Sequence, residues 1–262
     1  MWGGWYKTDG LMSHIKHIEN IYETSMLRGD RSVAETALIY DEKMSINAYL
    51  GGFFELTYEQ AGGLGKLGAP YDIYLFGDLG KLDFSKYKTL IFVGALQWTD
   101  KEIAVLEKLK GKNRSLLFSG LTGLYTNNSE PVLGIVHTLC ESEDKIEIVT
   151  REDVERDNAV IKKEFPNYRI AWSGTAKFTA EQVRFHLQKS GGHIYSDQEA
   201  IVYANEKYVT YTATKTGEQT IFLPKNKKGK ILVNEKQGIE QGNVLILQMR
   251  EDETALIEVY DI

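Results

Sequence analysis

Short, almost wholly apolar runs alternate with helical stretches along the first half of this 262-residue chain. The apolar runs are residues 33–40, 71–76, 89–96 and 115–119. Amphipathic patterns over residues 47–67 and 99–110 lie between them. Apolar strands that alternate with helices predict a parallel sheet covered on both faces. Because crossovers between parallel strands are right-handed, the pattern favours a doubly wound, flavodoxin-like α/β domain.

Further elements are assigned outside this alternation. Residues 10–28 carry apolar side chains at helical spacing, and so do residues 179–189, where Thr179 is the expected N-cap. Residues 193–195 are predicted as a short strand that ends the sheet. Acid-rich residues within 136–165 predict an edge strand and a surface helix.

The pattern changes from residue 200 onward, where short apolar segments are separated by turns that contain glycine or lysine. The predicted strands are residues 201–204, 208–214, 219–223, 230–234, 244–249 and 255–259. Six short strands at this spacing predict a small antiparallel all-β domain, either a sandwich or a barrel-like sheet. We therefore divide the chain into an aromatic segment and helix (1–30), an α/β domain (31–197) and a β domain (198–262).

Composition and charge exclude several classes of protein. The net charge of −6 leaves no basic footprint for nucleic acid, and no apolar run is long enough to span a bilayer. One cysteine permits neither an internal disulfide nor a zinc site made of thiolates. The first residues do not have the pattern of a signal peptide, so a cytoplasmic location is expected if the chain stands alone.

The candidate nucleophile is Cys140, and His137 precedes it by three residues. On a helix the two side chains would share a face. The alternative is a buried free thiol beside a histidine, since free cysteines are usually packing residues. The turn 119–123, which follows the fourth strand, lacks the spacing of a nucleophile elbow and contains no cysteine.

Carboxylates and histidines give weaker signals. Asp41 and Glu42 follow the first strand, where doubly wound folds place their sites, but adjacent side chains tend to diverge, which favours a cap for the next helix. His14 and His17 are three residues apart without a third ligand, so no metal is expected. The glycines in residues 62–65 lie late in a helical stretch, whereas a dinucleotide fingerprint follows the first strand directly. No cofactor is therefore expected.

Aromatic side chains suggest carbohydrate binding, because exposed rings can stack on sugar faces. Trp2, Trp5 and Tyr6 are the best candidates for residues near a bound sugar, since large aromatics are unexpected in a frayed tail. Trp98 and Trp172 are also available, with core packing as the alternative for both.

Several stretches together resemble a known enzyme family. They are residues 1–6 (MWGGWY), 34–42 (AETALIYDE), 67–75 (LGAPYDIYL), 87–93 (YKTLIFV), 191–197 (GGHIYSD) and 202–206 (VYANE). Their order and spacing resemble the later part of family-42 glycoside hydrolases, the β-galactosidases with a trimerisation domain. The resemblance implies a class-I glutamine amidotransferase-like domain followed by a small β domain. In that family these domains accompany a catalytic (β/α)8 barrel.

This chain departs from the family pattern because a barrel alone takes about 250 residues. The barrel's catalytic glutamates have no counterparts here, and no cysteine follows strand 115–119. The resemblance therefore implies a non-catalytic C-terminal region that assembles a homo-oligomer, such as a trimer, and helps to shape a pocket for galactosides. No activity is expected from the chain alone. The alternatives are a stand-alone carbohydrate-binding protein and an amidotransferase-like enzyme that uses Cys140 and His137.

Overall fold

The computed structural model describes most of the chain in several stretches. The described residues are 8–26, 31–43, 58, 60–95, 97–119, 122, 160–173, 177–233 and 238–262. They form one mostly parallel six-stranded sheet, two smaller antiparallel sheets and the helices that accompany them.

The first sheet has six strands. They are β1 (Thr36–Tyr40), β2 (Tyr71–Leu75), β3 (Thr89–Val93), β4 (Arg114–Ser119), β5 (Val160–Glu164) and β6 (Tyr168–Ser173). Their spatial order is β2-β1-β3-β4-β6-β5. All neighbours pair in parallel except β5, which is antiparallel to β6 at the edge. The parallel strands thus have the flavodoxin-like order, and the predicted doubly wound α/β class is confirmed.

Three helices are long enough to be given labels. They are α1 (Asp9–Met26), α2 (Asp100–Leu109) and α3 (Ala180–Lys189). A capping box starts α2, because the Glu102 carboxylate accepts from the Thr99 backbone N–H at 2.7 Å. A second box starts α3, where Thr179 and Gln182 exchange side-chain-to-backbone bonds. A further short helical segment covers residues 60–64.

The sheet separates two apolar cores, because successive side chains of a strand point to opposite faces. On one face Phe92 stacks on Phe118 with ring centroids 5.0 Å apart, and Trp98 and Leu106 of the α2 region complete that core. On the other face Leu38, Ile91 and Leu117 meet α3 and the 60–64 segment. The strands β1, β3 and β4 are buried throughout, as their apolar runs predict.

One sequence prediction for this sheet is wrong, and one strand of the sheet was not predicted. The predicted strand at 193–195 is wrong, because its backbone bonds run to loop and neighbouring segments: the Tyr195 N–H donates to the Gly68 carbonyl at 2.9 Å. The fifth parallel strand is instead β6, which the sequence pattern does not reveal. Only residues 170–173 of β6 are buried, so its apolar run is too short to stand out.

The remaining strands form two facing antiparallel sheets with a shared core. One sheet has the order β10 (Lys227–Val233), β13 (Thr254–Asp261), β8 (Tyr208–Ala213), β7 (Ala200–Ala204). The other has the order β11 (Ile239–Gln241), β12 (Val244–Met249), β9 (Gly217–Phe222). Their inner residues pack into one cluster. All six predicted strands are present, and the predicted all-β domain is confirmed as a sandwich.

The seventh strand of the sandwich, β11, is missed by sequence analysis because all three of its residues are exposed and carry no apolar alternation. The division of the chain at residues 30 and 197 stays a prediction. No helix in the described stretches is long and apolar enough to cross a membrane.

Candidate functional site

The carboxyl ends of the parallel strands are the usual location of a site in this class of fold. Asp41, which follows β1, is buried, and its Oδ1 accepts from the Lys43 backbone N–H at 3.0 Å. The Glu42 carboxylate instead accepts from the Gly77 N–H at 3.3 Å. The two carboxylates therefore hold different segments, and they do not form a facing catalytic pair.

The end of β4 lies at the same edge of the sheet, and a nucleophile elbow would directly follow a strand there. Here Ser119 ends the strand, and its hydroxyl is buried with no hydrogen-bond partner among the described residues. The Thr122 hydroxyl donates to the Ser119 carbonyl at 3.1 Å and closes the turn. Activation of a serine needs an adjacent base, and no described side chain makes that hydrogen bond.

The other predicted site residues divide into two groups. Trp2, Trp5, Tyr6, His137 and Cys140 all lie outside the described residues, so their roles near sugar or in nucleophilic catalysis stay predictions.

The second group consists of tryptophans and histidines that the structure describes. Trp98 and Trp172 are buried, and the Trp98 indole donates to the Ala95 carbonyl at 2.9 Å, so both have the core role. On α1 the His17 ring nitrogen lies 3.5 Å from the Leu232 carbonyl. In the stretches that the structure describes, no three metal-ligating side chains come together.

A polar cluster joins the parallel sheet to the sandwich at the amino ends of β1 and β3. Glu35 accepts from the His193 backbone N–H at 2.6 Å and pairs with the Lys88 ammonium at 2.7 Å. Lys88 also donates to the Gly191 carbonyl at 2.6 Å. The His193 ring nitrogen Nε2 lies 2.9 Å from the Phe222 carbonyl in the sandwich. Burial lowers the pKa of His193 below its usual value, which favours the neutral imidazole.

A second joint is made of backbone bonds around Gly68. Its N–H donates to the Ala200 carbonyl at 3.0 Å, and its carbonyl accepts from the Tyr195 and Ser196 N–H groups. Gly68 has φ +74°, and a Cβ there would lie 2.5 Å from the Ser196 carbonyl oxygen. Only glycine fits this position without strain.

A second polar cluster fixes the edge strand β2. Asp72 accepts from the Tyr87 hydroxyl at 2.6 Å, the Ser32 hydroxyl at 2.7 Å and the Lys86 ammonium at 2.9 Å. Burial alone would raise the pKa of Asp72, but these hydrogen bonds outweigh it and lower the pKa. The Tyr74 and Tyr87 hydroxyls are 2.5 Å apart, which extends the chain of hydrogen bonds. Every member is satisfied, so the cluster positions β2 and lacks an unpaired group for chemistry.

A groove opens beside the 60–64 helical segment, next to the start of α3. Its volume is about 590 Å³. The residues lining it include Tyr58, Gly62, Gly63, Lys66, Phe178 and Glu199. Sequence analysis missed this groove, although two consecutive glycines inside a helical pattern were a usable signal.

The apolar side of α1 is exposed. Its members Leu11, Met12, Ile15, Ile18 and Tyr22 keep between 40% and 59% of their surface in contact with solvent. Together they form a stripe at helical spacing, which in a globular protein normally faces a core. The residues that the structure describes therefore leave this stripe uncovered.

Comparisons with known proteins give a structural likeness only. No family model matches the sequence, and no curated protein matches it. A β-galactosidase from Bacillus circulans sp. alkalophilus matches with a TM-score of 0.62 and 13% identity, over 93% of this chain and 43% of that chain. Gan42B, a GH42 β-galactosidase from G. stearothermophilus, gives 0.63 and 15%, over 95% and 43%.

A cold-adapted β-galactosidase from Rahnella sp. R3 gives 0.62 and 11%, over 96% of this chain and 44% of that chain. This chain therefore spans less than half the length of each of these enzymes. The resemblance expected from the sequence motifs is confirmed as a similarity of fold to part of GH42 β-galactosidases.

Proposed function

We propose that this chain is a non-catalytic region of a β-galactosidase-like glycoside hydrolase, where it supports oligomer assembly and helps to shape a sugar site. The observation that carries the proposal is the fold likeness, which takes in 93–96% of this chain and only 43–44% of each enzyme. More than half of each enzyme lies outside the shared region, which leaves room there for the catalytic machinery.

The chemistry of the described residues supports a non-catalytic role. Glycoside hydrolysis needs two carboxyl groups across the scissile bond, roughly 5–10 Å apart. Asp41 and Glu42, at the edge of the sheet where a site would lie, are each held by a different segment. The end of β4 carries Ser119 in place of a cysteine.

The exposed stripe of α1 supports a role in assembly. Contiguous apolar surface of this kind marks contact sites, because its burial against a partner removes it from water. A stable oligomer needs interfaces of roughly 1,000 Å² or more, of which one helix face supplies only a part.

Light scattering on the full chain at several concentrations tests assembly. We expect an oligomer, with a trimer as the family-based expectation, whose mass falls when Ile15 and Ile18 are both changed to Lys. The matched control is the double variant Ser13→Lys with Asn20→Lys, which adds the same charge to the same helix outside the stripe. A monomer at every concentration contradicts the assembly role.

Hydrolysis of nitrophenyl galactoside tests the non-catalytic role. We expect no turnover above the uncatalysed rate from the purified chain. Turnover at rates typical of a complete hydrolase, retained after repeated purification, contradicts it.

A further inference from the structure

The groove beside residues 60–64 has the size of a small-ligand site. Three separate parts of the chain line it: Tyr58 with the following helical segment, residues 177–181 at the start of α3, and Glu199 before β7. Its volume of about 590 Å³ lies within the range of roughly 300–1,000 Å³ that such sites occupy.

The side chains of Gln60 and Arg184 hold the walls of the groove in place, although neither of them lines it. The Gln60 amide is fully buried, donates to the Phe178 carbonyl at 2.9 Å and accepts from the Phe178 N–H at 2.7 Å. Arg184 of α3 donates to the carbonyls of Lys66, Leu67, Asp197 and Gln198 at 3.0–3.2 Å. The groove is therefore preformed, which lowers the entropy cost of binding.

The floor of the groove has glycines where a helix would prefer side chains. A glycine inside a helix costs about 1 kcal/mol relative to alanine. A Cβ added at Gly62 would meet no described atom within 4 Å, and one at Gly63 would come only within 3.9 Å of the Phe178 carbonyl. No contact within the described chain explains these glycines. Glycine is expected where a ligand approaches the backbone closely.

The charges around the groove balance. Lys66 and Lys177 supply donors, whereas Glu181 and Glu199 supply acceptors, and Lys66 lies 3.7 Å from the Glu199 carboxylate. The Tyr58 ring is 70% exposed beside them. A neutral ligand fits this set better than an anion or a cation, provided that it has hydroxyl groups at its edge and an apolar face.

We propose that this groove binds a neutral saccharide, with its apolar face on the Tyr58 ring and over Gly62 and its hydroxyls toward the rim. The choice of galactosides as the first probes rests on the proposed function. The groove itself rests on the geometry of the described residues.

Titration of the full chain with galactose, lactose and a galacto-oligosaccharide, followed by calorimetry and amide NMR, tests the proposal. We expect a dissociation constant of roughly 1 mM, since one sugar face makes few contacts. Gly62→Met fills the groove with a good helix former and is expected to weaken binding at least about tenfold. Tyr58→Ala removes the ring from an exposed position and is expected to do the same.

The matched control is Gly10→Met in α1. It makes the same change at another helical glycine whose Cβ would meet no described atom within 4 Å, and binding should be unchanged. The proposal is overturned if none of the three sugars binds at about 50 mM, or if Gly62→Met binds like the parent chain. A lower mass of Gly62→Met in light scattering would make the groove a protein interface and would also overturn it.

The two proposals fail separately. An oligomer that binds no sugar removes the groove proposal and leaves the assembly role. A monomer that binds sugar through Tyr58 and Gly62 removes the assembly role and leaves the groove.

Discussion

The helices α1 and α3 have similar amphipathic sequences but very different surroundings. In α3 the apolar residues Val183 and Leu187 are buried to 1% exposure or less, because they pack on β3 and β4. In α1 the equivalent residues Ile15 and Ile18 are 45% and 53% exposed. Periodicity therefore predicts a helix in both cases, but it does not say which surface the helix will cover.

This difference separates a helix that the chain itself covers from one that it leaves exposed. The apolar face of α3 is buried within the chain, so its residues contribute to the stability of the fold. The α1 face is not covered by the described residues, so its burial against a second copy would contribute to the proposed assembly. Mutations in the two helices should separate these roles.

The largest expected effect is that of Leu187→Ala in α3. Truncation of a fully buried leucine leaves a cavity and costs about 2–5 kcal/mol in free energy of unfolding. Chemical denaturation measures this cost. The control is Gln188→Ala, an exposed neighbour that should change stability by less than about 0.5 kcal/mol. Equal effects at both positions would mean that α3 is not packed as described.

The next largest effect is expected at Gly68, directly after the Lys66 and Leu67 carbonyls that accept hydrogen bonds from Arg184 of α3. Gly68→Ala should destabilise the fold by about 2–3 kcal/mol, because alanine is strained at φ +74° and its Cβ would meet the Ser196 carbonyl. Gly191→Ala is the matched control, since Gly191 also has φ +74° but its Cβ would meet no described atom within 4 Å. The difference in unfolding free energy between the two variants isolates the steric contact.

A smaller effect on the free energy of unfolding is expected when the pH changes, through His193 in the segment that follows α3. The pKa of His193 is lowered by burial, so the unfolded chain binds a proton more readily than the folded chain. The corresponding stability is present above pH 6.5, the ordinary histidine value, and is lost as the pH falls through the lower pKa of the folded state.

His193→Gln tests this effect, because glutamine keeps a donor but cannot titrate. Denaturation midpoints at about pH 7.5 and pH 5.5 should differ less for the variant than for the parent chain. An identical pH dependence in both proteins would show that His193 is not buried in the neutral form.

The smallest effect on folding is expected from Ile18→Ala in α1. At concentrations low enough to keep the chain monomeric, the free energy of unfolding should change by less than about 0.5 kcal/mol. At higher concentrations the same variant should lower the oligomer mass seen by light scattering. A loss of more than about 1 kcal/mol in the dilute protein would mean that α1 packs within its own chain.

Much of the fold is predictable from sequence because burial on both faces leaves a clear pattern. The runs that became β1, β3 and β4 are mostly apolar and buried throughout, and the capping boxes at Thr99 and Thr179 mark two helix starts. The strand β6 is missed because Tyr168 and Arg169, at its start, are only partly buried. The segment 193–195 is mistaken for a strand because an apolar residue flanked by histidine and tyrosine has high β propensity.

The candidate site was much less predictable. Asp41 and Glu42 were candidates because they follow a strand. Only the structure shows that their carboxylates accept hydrogen bonds from different segments. The groove depends on Tyr58, Phe178 and Glu199, which are far apart in sequence. Long-range proximity of this kind leaves no periodic signal. The role proposed for Gly62 could be inferred only once the space above it was known.

The joint at Gly68 has a consequence for divergence. Its bonds to Ala200, Tyr195 and Ser196 use backbone groups alone, so they require no particular hydrogen-bonding side chain at those three positions. The strict requirement of this joint lies at position 68, where a side chain would meet the Ser196 carbonyl. A joint held by main-chain groups can therefore survive changes in many surrounding side chains, provided that residue 68 stays glycine.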